Sequence, residues 1–280
     1  MSEPNPLETG PSLACRDLVS GYGRIAIVRG VNFHARQGRL TALVGPNGCG
    51  KSTLLKTLAR VIKPSTGTVE LDGRPIHALP TREVARRLAL LPQGPVAPEG
   101  LRVRELVAQG RFPHRTLLRQ WSPADTAAVA VAMDRTNLAE LAEAPVEGLS
   151  GGQRQRAWIA MALAQETPIL LLDEPTTFLD LKVQVDILTL LSRIAHEEGR
   201  TVVVVLHEIN MAAAFADRIV MMAGGRILAE GAPREVVTPE TLDRVFGLAA
   251  DVLPAPRGRY PVCIPARQFD PLQRLPTAAE

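Results

Sequence analysis

A chain of 280 residues that is 46% hydrophobic and 22% charged is globular and long enough for a sizeable core, as one large domain or one with a subdomain, and no disordered class fits. Its formal charge of +3 comes from 32 Lys and Arg against 29 Asp and Glu spread along the chain, with 4% aromatics, which argues against a nucleic-acid surface. Cys15, Cys49 and Cys263 are far apart and odd in number, so neither a disulfide framework nor a zinc site is indicated, and a reducing compartment suits them.

Residues 1–11 are polar and proline-bearing and read as a disordered lead-in, not a signal peptide. No apolar run reaches the ~18 residues that cross a bilayer. Residues 13–19 and 28–35 alternate apolar and polar like strands of a half-solvated antiparallel sheet, joined through Gly21, Tyr22 and Gly23. Tyr22 is open to two readings, a packing aromatic or a flat ring for an adenine. Residues 40–44 read as a buried strand, and Lys51 onward, with Leu54, Leu55, Leu58, Val61 and Ile62 at helical spacing, as a helix.

Between that strand and helix lie Gly45, Pro46, Asn47, Gly48, Cys49, Gly50, Lys51, Ser52 and Thr53, which fit the phosphate-binding loop pattern. Its glycines let backbone N–H groups curl toward phosphate oxygens, and the helix N-terminus adds its dipole. Lys51 is expected to hold β- and γ-phosphates, Ser52 to ligate Mg²⁺, and Thr53 to bond a phosphate oxygen. For Cys49 two readings stay open: a thiol whose oxidation blocks nucleotide entry, or a small side chain that is simply tolerated.

Residues 67–71 with the Asp72-Gly73 turn predict another strand. Thr81–Arg87 predicts a short helix capped by Thr81, and Leu88–Leu91 a buried strand ending at Pro92 and Gln93. Composition then changes to proline and glycine at 94–100 and to an Ala- and Arg-rich helical pattern over 103–149, with a helix start at Ser122-Pro123; this reads as a helical insertion in an α/β core.

The core resumes with the apolar run 169–172 ending in Asp173 and Glu174, a helix at 180–196, a buried strand at 201–206 ending at His207, a helix at 210–215, and a hairpin of residues 218–223 and 226–230 across Gly224-Gly225. Strands alternating with helices predict a mostly parallel, covered sheet. A last helix is expected at 238–246, then an irregular proline-rich tail with one hairpin across 254–260. Downstream of a phosphate loop, Asp173 is placed for the Mg²⁺ shell, and Glu174 as general base on an attacking water.

Leu149, Ser150, Gly151, Gly152 and Gln153 resemble the ABC ATPase signature sequence. With the two motifs above, in this order and spacing, the chain is similar to the nucleotide-binding subunit of an ABC transporter over roughly residues 13–248. The resemblance implies an α/β fold: a P-loop NTPase (ABC ATPase) core spanning 12–248, with an antiparallel β subdomain, an α-helical subdomain inserted at about 94–165, and a proline-rich tail at 249–280. The signature repeats the phosphate-loop logic, small residues followed by a helix whose N-terminus attracts anions. In the family it faces the ATP held by a second subunit.

The resemblance further implies that Gln93 touches Mg²⁺ or the attacking water and opens the helical subdomain, that Asp180 crosses the dimer interface, that His207 contacts the γ-phosphate and steadies Glu174, and that Tyr22 stacks on adenine. Catalytic roles thus fall to Glu174, His207, Gln93 and Lys51, with ATP and Mg²⁺ as cofactors and Ser52, Gln93 and Asp173 as metal ligands. Glu208 departs from the Asp that many relatives carry.

Within the family, Gly110-Arg111-Phe112-Pro113-His114, residues 153–160 and residues 175–181 look like iron-siderophore importers, with haem and cobalamin importers close behind; the alternatives outside these are an export ATPase, a soluble non-transport ABC ATPase of translation or DNA repair, and a binding or regulatory module without turnover. The expected partners are a second ATPase subunit, integral-membrane permease subunits and, indirectly, a substrate-binding protein, with no nucleic acid. The expected place is peripheral, on the cytoplasmic face of the inner (plasma) membrane.

Overall fold

A computed structural model describes residues 12–116, 120–256, 258 and 260–266; the expected lead-in at 1–11 and residues 267–280 of the expected tail lie outside them. The chain opens with β1 (Leu13–Tyr22) and β2 (Ile25–Ala35), paired antiparallel from Leu13 against Ala35 to Tyr22 against Ile25. Tyr22 therefore ends a strand, and the turn falls on Gly23 and Arg24, one step later than the expected Gly21–Gly23 junction. Then come β3 (Leu40–Val44), α1 (Lys51–Leu58), β4 (Thr66–Leu71) and β5 (Arg74–Pro75). Helix α1 is shorter than its apolar periodicity suggests: Arg60 turns to φ 64, and Val61 is left 63% exposed.

Next are α2 (Thr81–Arg87) and β6 (Leu88–Leu91), both at their expected bounds. Thr81 is not the cap, however. Pro80 occupies that position; its hydrocarbon ring has no polar atom to cap with, while its fixed φ of −58 suits a helix entrance. The inserted helices are α3 (Val103–Gln109), α4 (Pro123–Arg135) and α5 (Gly151–Ala164). Ser122 caps α4 by accepting from the Asp125 N–H, as the Ser-Pro start predicts.

The stretch Gly110 to His114 joins these helices. A Cβ on Gly110 would lie 2.1 Å from the Met161 carbonyl oxygen, so only glycine lets α3 end against α5. Arg111 is 4% exposed, and donates to Asp125 at 2.9 Å, to the Ala164 carbonyl at 2.7 Å and to Glu166 at 2.6 Å. That buried cation is fully paired, as a buried charge must be.

The remaining elements are β7 (Ile169–Asp173), α6 (Leu181–Glu198), β8 (Thr201–Val205), α7 (Ile209–Phe215), β9 (Arg218–Ala223), β10 (Arg226–Gly231), α8 (Pro233–Val236), α9 (Pro239–Phe246), β11 (Ala250–Pro254) and β12 (Pro261–Pro265). Two main sheets result. One is antiparallel, in the order β2-β1-β4-β5; the other runs β10-β9-β3-β8-β7-β6, parallel except for its β10–β9 edge.

Because successive strand residues point to opposite faces, β3, β7 and β8 feed two cores at once. Leu43, Leu171 and Val203 join Leu54, Leu55 and Leu58 of α1 beneath the antiparallel sheet. Leu40, Ala42, Leu170 and Val204 join the inserted helices with α6, α7 and α9 on the other side. Each fully buried Leu or Val contributes about 1.5–3 kcal/mol, which is why these strands are apolar on both faces. The β11–β12 hairpin, which pairs Pro254 with Pro261 where the tail's one hairpin is expected, belongs to this second core through Cys263, 3% exposed. Among the described residues, no helix is long and apolar enough to cross a membrane.

Candidate active site

Strand β3 runs into the loop that turns it onto α1. At Gly45 (φ 152) an added Cβ would lie 2.1 Å from the Met222 carbonyl oxygen, so β9 passes too close for any side chain. Gly50 (φ 106) stands at the helix N-cap without a side-chain bond, and the first turn carries no acid. The loop thus presents a helix N-terminus whose N–H groups and partial positive charge suit an anion. Lys51 is 5% exposed, and its ammonium donates to the Gly45 carbonyl at 2.8 Å and the Pro46 carbonyl at 3.0 Å. The loop's own carbonyls hold it beside the space they enclose.

Cys49 is buried in the same loop, and burial pushes its thiol up, Lys51 offsetting part of the effect. That opposes thiolate reactivity and favours the reading of a small side chain tolerated there.

Ser52, on the first turn of α1, donates its hydroxyl to Asp173 Oδ1 at 2.7 Å. Asp173 ends β7 with 1% exposure, and its Oδ2 is buried without a partner. Burial pushes its carboxyl up from the ordinary value, with the Ser52 bond acting in the opposite sense. Glu174, one residue on, takes φ +53, a left-handed backbone that a non-glycine residue adopts at a cost of order 1–3 kcal/mol.

Its Oε2 meets Gln93 Nε2 at 2.6 Å, His207 Nε2 at 2.7 Å and Thr177 Oγ1 at 3.3 Å. Gln93 follows β6 and His207 follows β8, the two strands flanking β7, so three neighbouring strand ends deliver one carboxylate and its donors. Thr177 lies in the family-like stretch 175–181, but the sequence gives it no site role.

The remaining expected site residues lie apart from this cluster. Ser150 caps α5, accepting from Gln153 N–H at 3.3 Å while Gln153 Oε1 accepts from Ser150 N–H at 3.0 Å. Asp180 caps α6 by accepting from the Val183 N–H at 3.0 Å. A Cβ on Gly152 would lie 3.0 Å from Val183, so that glycine lets the α5 start press on α6. Tyr22 is 52% exposed at the end of β1. Among the described residues, none of these shares a hydrogen bond with Lys51, Ser52, Asp173 or Glu174.

A feature the sequence reading missed is a cleft of about 360 Å³ on the outer side of the phosphate loop, walled by Ile27, Arg29, Asn47, Gly48 and Gly225. It exists because the β9–β10 turn tucks under β2: Arg29 N–H donates to the Gly225 carbonyl at 2.8 Å, and Gly225 N–H to the Cys49 carbonyl at 3.2 Å. In the sequence Gly224-Gly225 signals only a turn.

Comparison with known proteins gives concordant results. The family profile described as ABC transporter matches residues 28–177. The sequence is 50% identical to the probable siderophore transport system ATP-binding protein YusV of Bacillus subtilis (strain 168), over 91% of this chain and 92% of that protein. It is 47% identical to the iron(3+)-hydroxamate import ATP-binding protein FhuC of the same organism, over 90% of this chain and 94% of that protein. A solved dimeric structure of a bacterial ABC transporter cassette superposes with a TM-score of 0.70 at 30% identity, over 79% of this chain and 98% of that one.

Proposed function

The chain belongs to the ABC transporter family and is an ATPase of that family, and we propose that it is the ATP-hydrolysing subunit of an importer of ferric siderophores. The observation that carries the chemistry is Glu174 held by Gln93 and His207 beside the Ser52–Asp173 pair, at the mouth of the phosphate loop. The cargo assignment rests on the two Bacillus relatives, named for siderophore transport and iron(3+)-hydroxamate import.

In this reading the loop N–H groups and Lys51 bind the β- and γ-phosphates, and Tyr22 supports the adenine. Glu174 orients and deprotonates the attacking water, while Gln93 and His207 hold its carboxylate in place. Asp173, Ser52 and Gln93 suit Mg²⁺: they offer hard oxygen donors, and Asp173 Oδ2 is buried without a hydrogen-bond partner. When bound, Mg²⁺ neutralises charge on the phosphate oxygens.

Ser150 to Gln153 open α5 away from this cluster, so the reading assigns them to the nucleotide of a second copy, with Asp180 crossing between copies. The dimeric ABC transporter cassette that this fold resembles supports that assignment. Separate permease chains would hold the dimer at the cytoplasmic face of the inner membrane.

The test is Glu174→Gln. It should keep ATP affinity, lower turnover by about 10²–10⁴-fold and trap an ATP-dependent dimer in size-exclusion chromatography. Unchanged hydrolysis would remove Glu174 from the base role. A pull-down of tagged wild type and variant from native membranes should recover a polytopic permease encoded near a ferric-chelate binding protein. Ribosomal or DNA-repair partners instead would overturn the transport assignment.

A further inference from the structure

His207 touches Glu174 through Nε2, and among the described residues its Nδ1 makes no hydrogen bond. A histidine with a working nitrogen is ordinarily oriented by a bond on the other one. Here the ring's placement falls to its backbone, the short link between β8 and α7.

Helix α7 is poorly equipped to fix itself. It has seven residues, its cap residue Glu208 makes no side-chain bond, and helices this short do not persist without tertiary support. Ala212 and Ala213 are buried on it, and Ile209, Met211 and Phe215 pack half-buried against the same core, apolar contacts that hold the helix down but are not directional as a hydrogen bond is.

Among the described residues, one side-chain hydrogen-bond clamp joins the first turn of α7 to another element. Asn210 Nδ2 donates to the Cys263 carbonyl at 3.0 Å, and its Oδ1 accepts from the Cys263 N–H at 2.8 Å. Both backbone groups of one β12 residue are thus read by one amide, a two-point contact that fixes rotation as well as distance. Those groups are available because alternate residues of a strand point their N–H and C=O away from the partner strand, here β11.

The hairpin is itself anchored. Cys263 is 3% exposed in the core with Ala250 and Val252 packed against it, and the Ala266 N–H donating to the Ala249 carbonyl at 2.9 Å closes the hairpin's open end. Asn210 lies three residues beyond His207, so a shift of its clamp reaches the imidazole through that short stretch of backbone.

We propose that Asn210 is a positioning residue for His207, and that through it the C-terminal β11–β12 hairpin sets the histidine that holds Glu174. This rests on the ATPase reading above. It gives the hairpin a part in turnover that its sequence, a proline-bearing tail, does not announce.

The test uses the full-length protein with Asn210→Leu, similar in volume and without the amide, beside His207→Ala. Steady-state ATP hydrolysis should fall roughly 10- to 100-fold in kcat, the order expected for a small misplacement of a catalytic group. KM for ATP and binding of a fluorescent ATP analogue should stay at wild-type values, because the phosphate loop is untouched. The chain has five histidines, so imidazole NMR signals are assignable by His207→Gln, and the His207 resonance should move in Asn210→Leu.

Asn210→Asp keeps the acceptor for the Cys263 N–H and serves if the leucine variant fails to fold; it should move the same resonance. A kcat within about twofold of wild type, or a His207 resonance that does not move, overturns the inference. Loss of kcat in His207→Ala but not in Asn210→Leu overturns it while leaving the ATPase reading intact. A wild type without turnover overturns the ATPase reading, and the imidazole spectrum still decides whether Asn210 places His207.

Discussion

Asp173→Asn sets nucleotide binding against stability at one atom. The wild-type carboxyl is 1% exposed, accepts one hydrogen bond from Ser52 at 2.7 Å and leaves Oδ2 buried without a partner. An unsatisfied buried polar group costs about 1–3 kcal/mol, and more when charged. Asparagine keeps Oδ1 for the Ser52 hydroxyl and removes the charge, although its amide N–H₂ is then the unsatisfied group. The net should favour the nucleotide-free variant by about 1–2 kcal/mol, a rise of about 2–8 °C in Tm.

Since burial raises the folded-state pKa of Asp173 above the ordinary 3.8, its protonated form is the better fit to the fold. The stability it contributes is present below 3.8 and lost as pH rises through the raised value. The variant's advantage should therefore be full at neutral pH and vanish on acidification. With Mg²⁺-ATP at about 100 times Kd the wild type should gain about 2.7 kcal/mol, and the variant should lose most of that gain, reversing the order. Differential scanning calorimetry with and without Mg²⁺-ATP checks both arms. A nucleotide-free variant less stable than wild type at neutral pH would refute the picture of a carboxylate whose burial outweighs the Ser52 bond and the nearby Lys56 and Lys51 charges.

Ser150→Arg should block hydrolysis while monomer binding of ATP persists, at a local cost of about 0.5–2 kcal/mol for the lost cap on α5; an active variant would remove Ser150 from the second-copy role. Gly110→Ala places a Cβ 2.1 Å from the Met161 carbonyl and should cost about 1–3 kcal/mol by forcing α3 from α5, read as a lower urea midpoint; an unchanged midpoint refutes the close approach. His196 bonds Asp217 at 2.9 Å and the Ser192 carbonyl at 2.7 Å, and the Asp217 bond chiefly raises its pKa above 6.5. Its contribution to stability is full below 6.5 and lost as pH rises through the raised value, so His196→Gln should flatten the pH dependence of urea unfolding in that window. Identical slopes for variant and wild type would count against the pairing.

Local signals were legible in the sequence because local physics produces them. Residues 40–44 and 169–172 are apolar on both faces, which only a doubly covered strand requires, and β3 and β7 lie there. The glycines of the phosphate loop announce backbone that no other residue tolerates, and Gly45 against Met222 bears that out. The apolar period overran α1 at Val61 because periodicity records which residues are apolar, not where a left-handed residue such as Arg60 ends the helix.

Which strand lies beside which is another matter. Crossover connections set the order β3-β8-β7-β6, and no short window of residues encodes them. That order alone brings Gln93 to Glu174 across 81 residues, and places His207 on the same oxygen. It also turns Gly225 under the phosphate loop and sets Asn210 against Cys263, contacts whose residues look ordinary in sequence. The chain by itself determined which groups can do phosphate chemistry; the tertiary fold decided which of them meet, because hydrogen bonds of about 3 Å between distant residues depend on sheet order and helix placement.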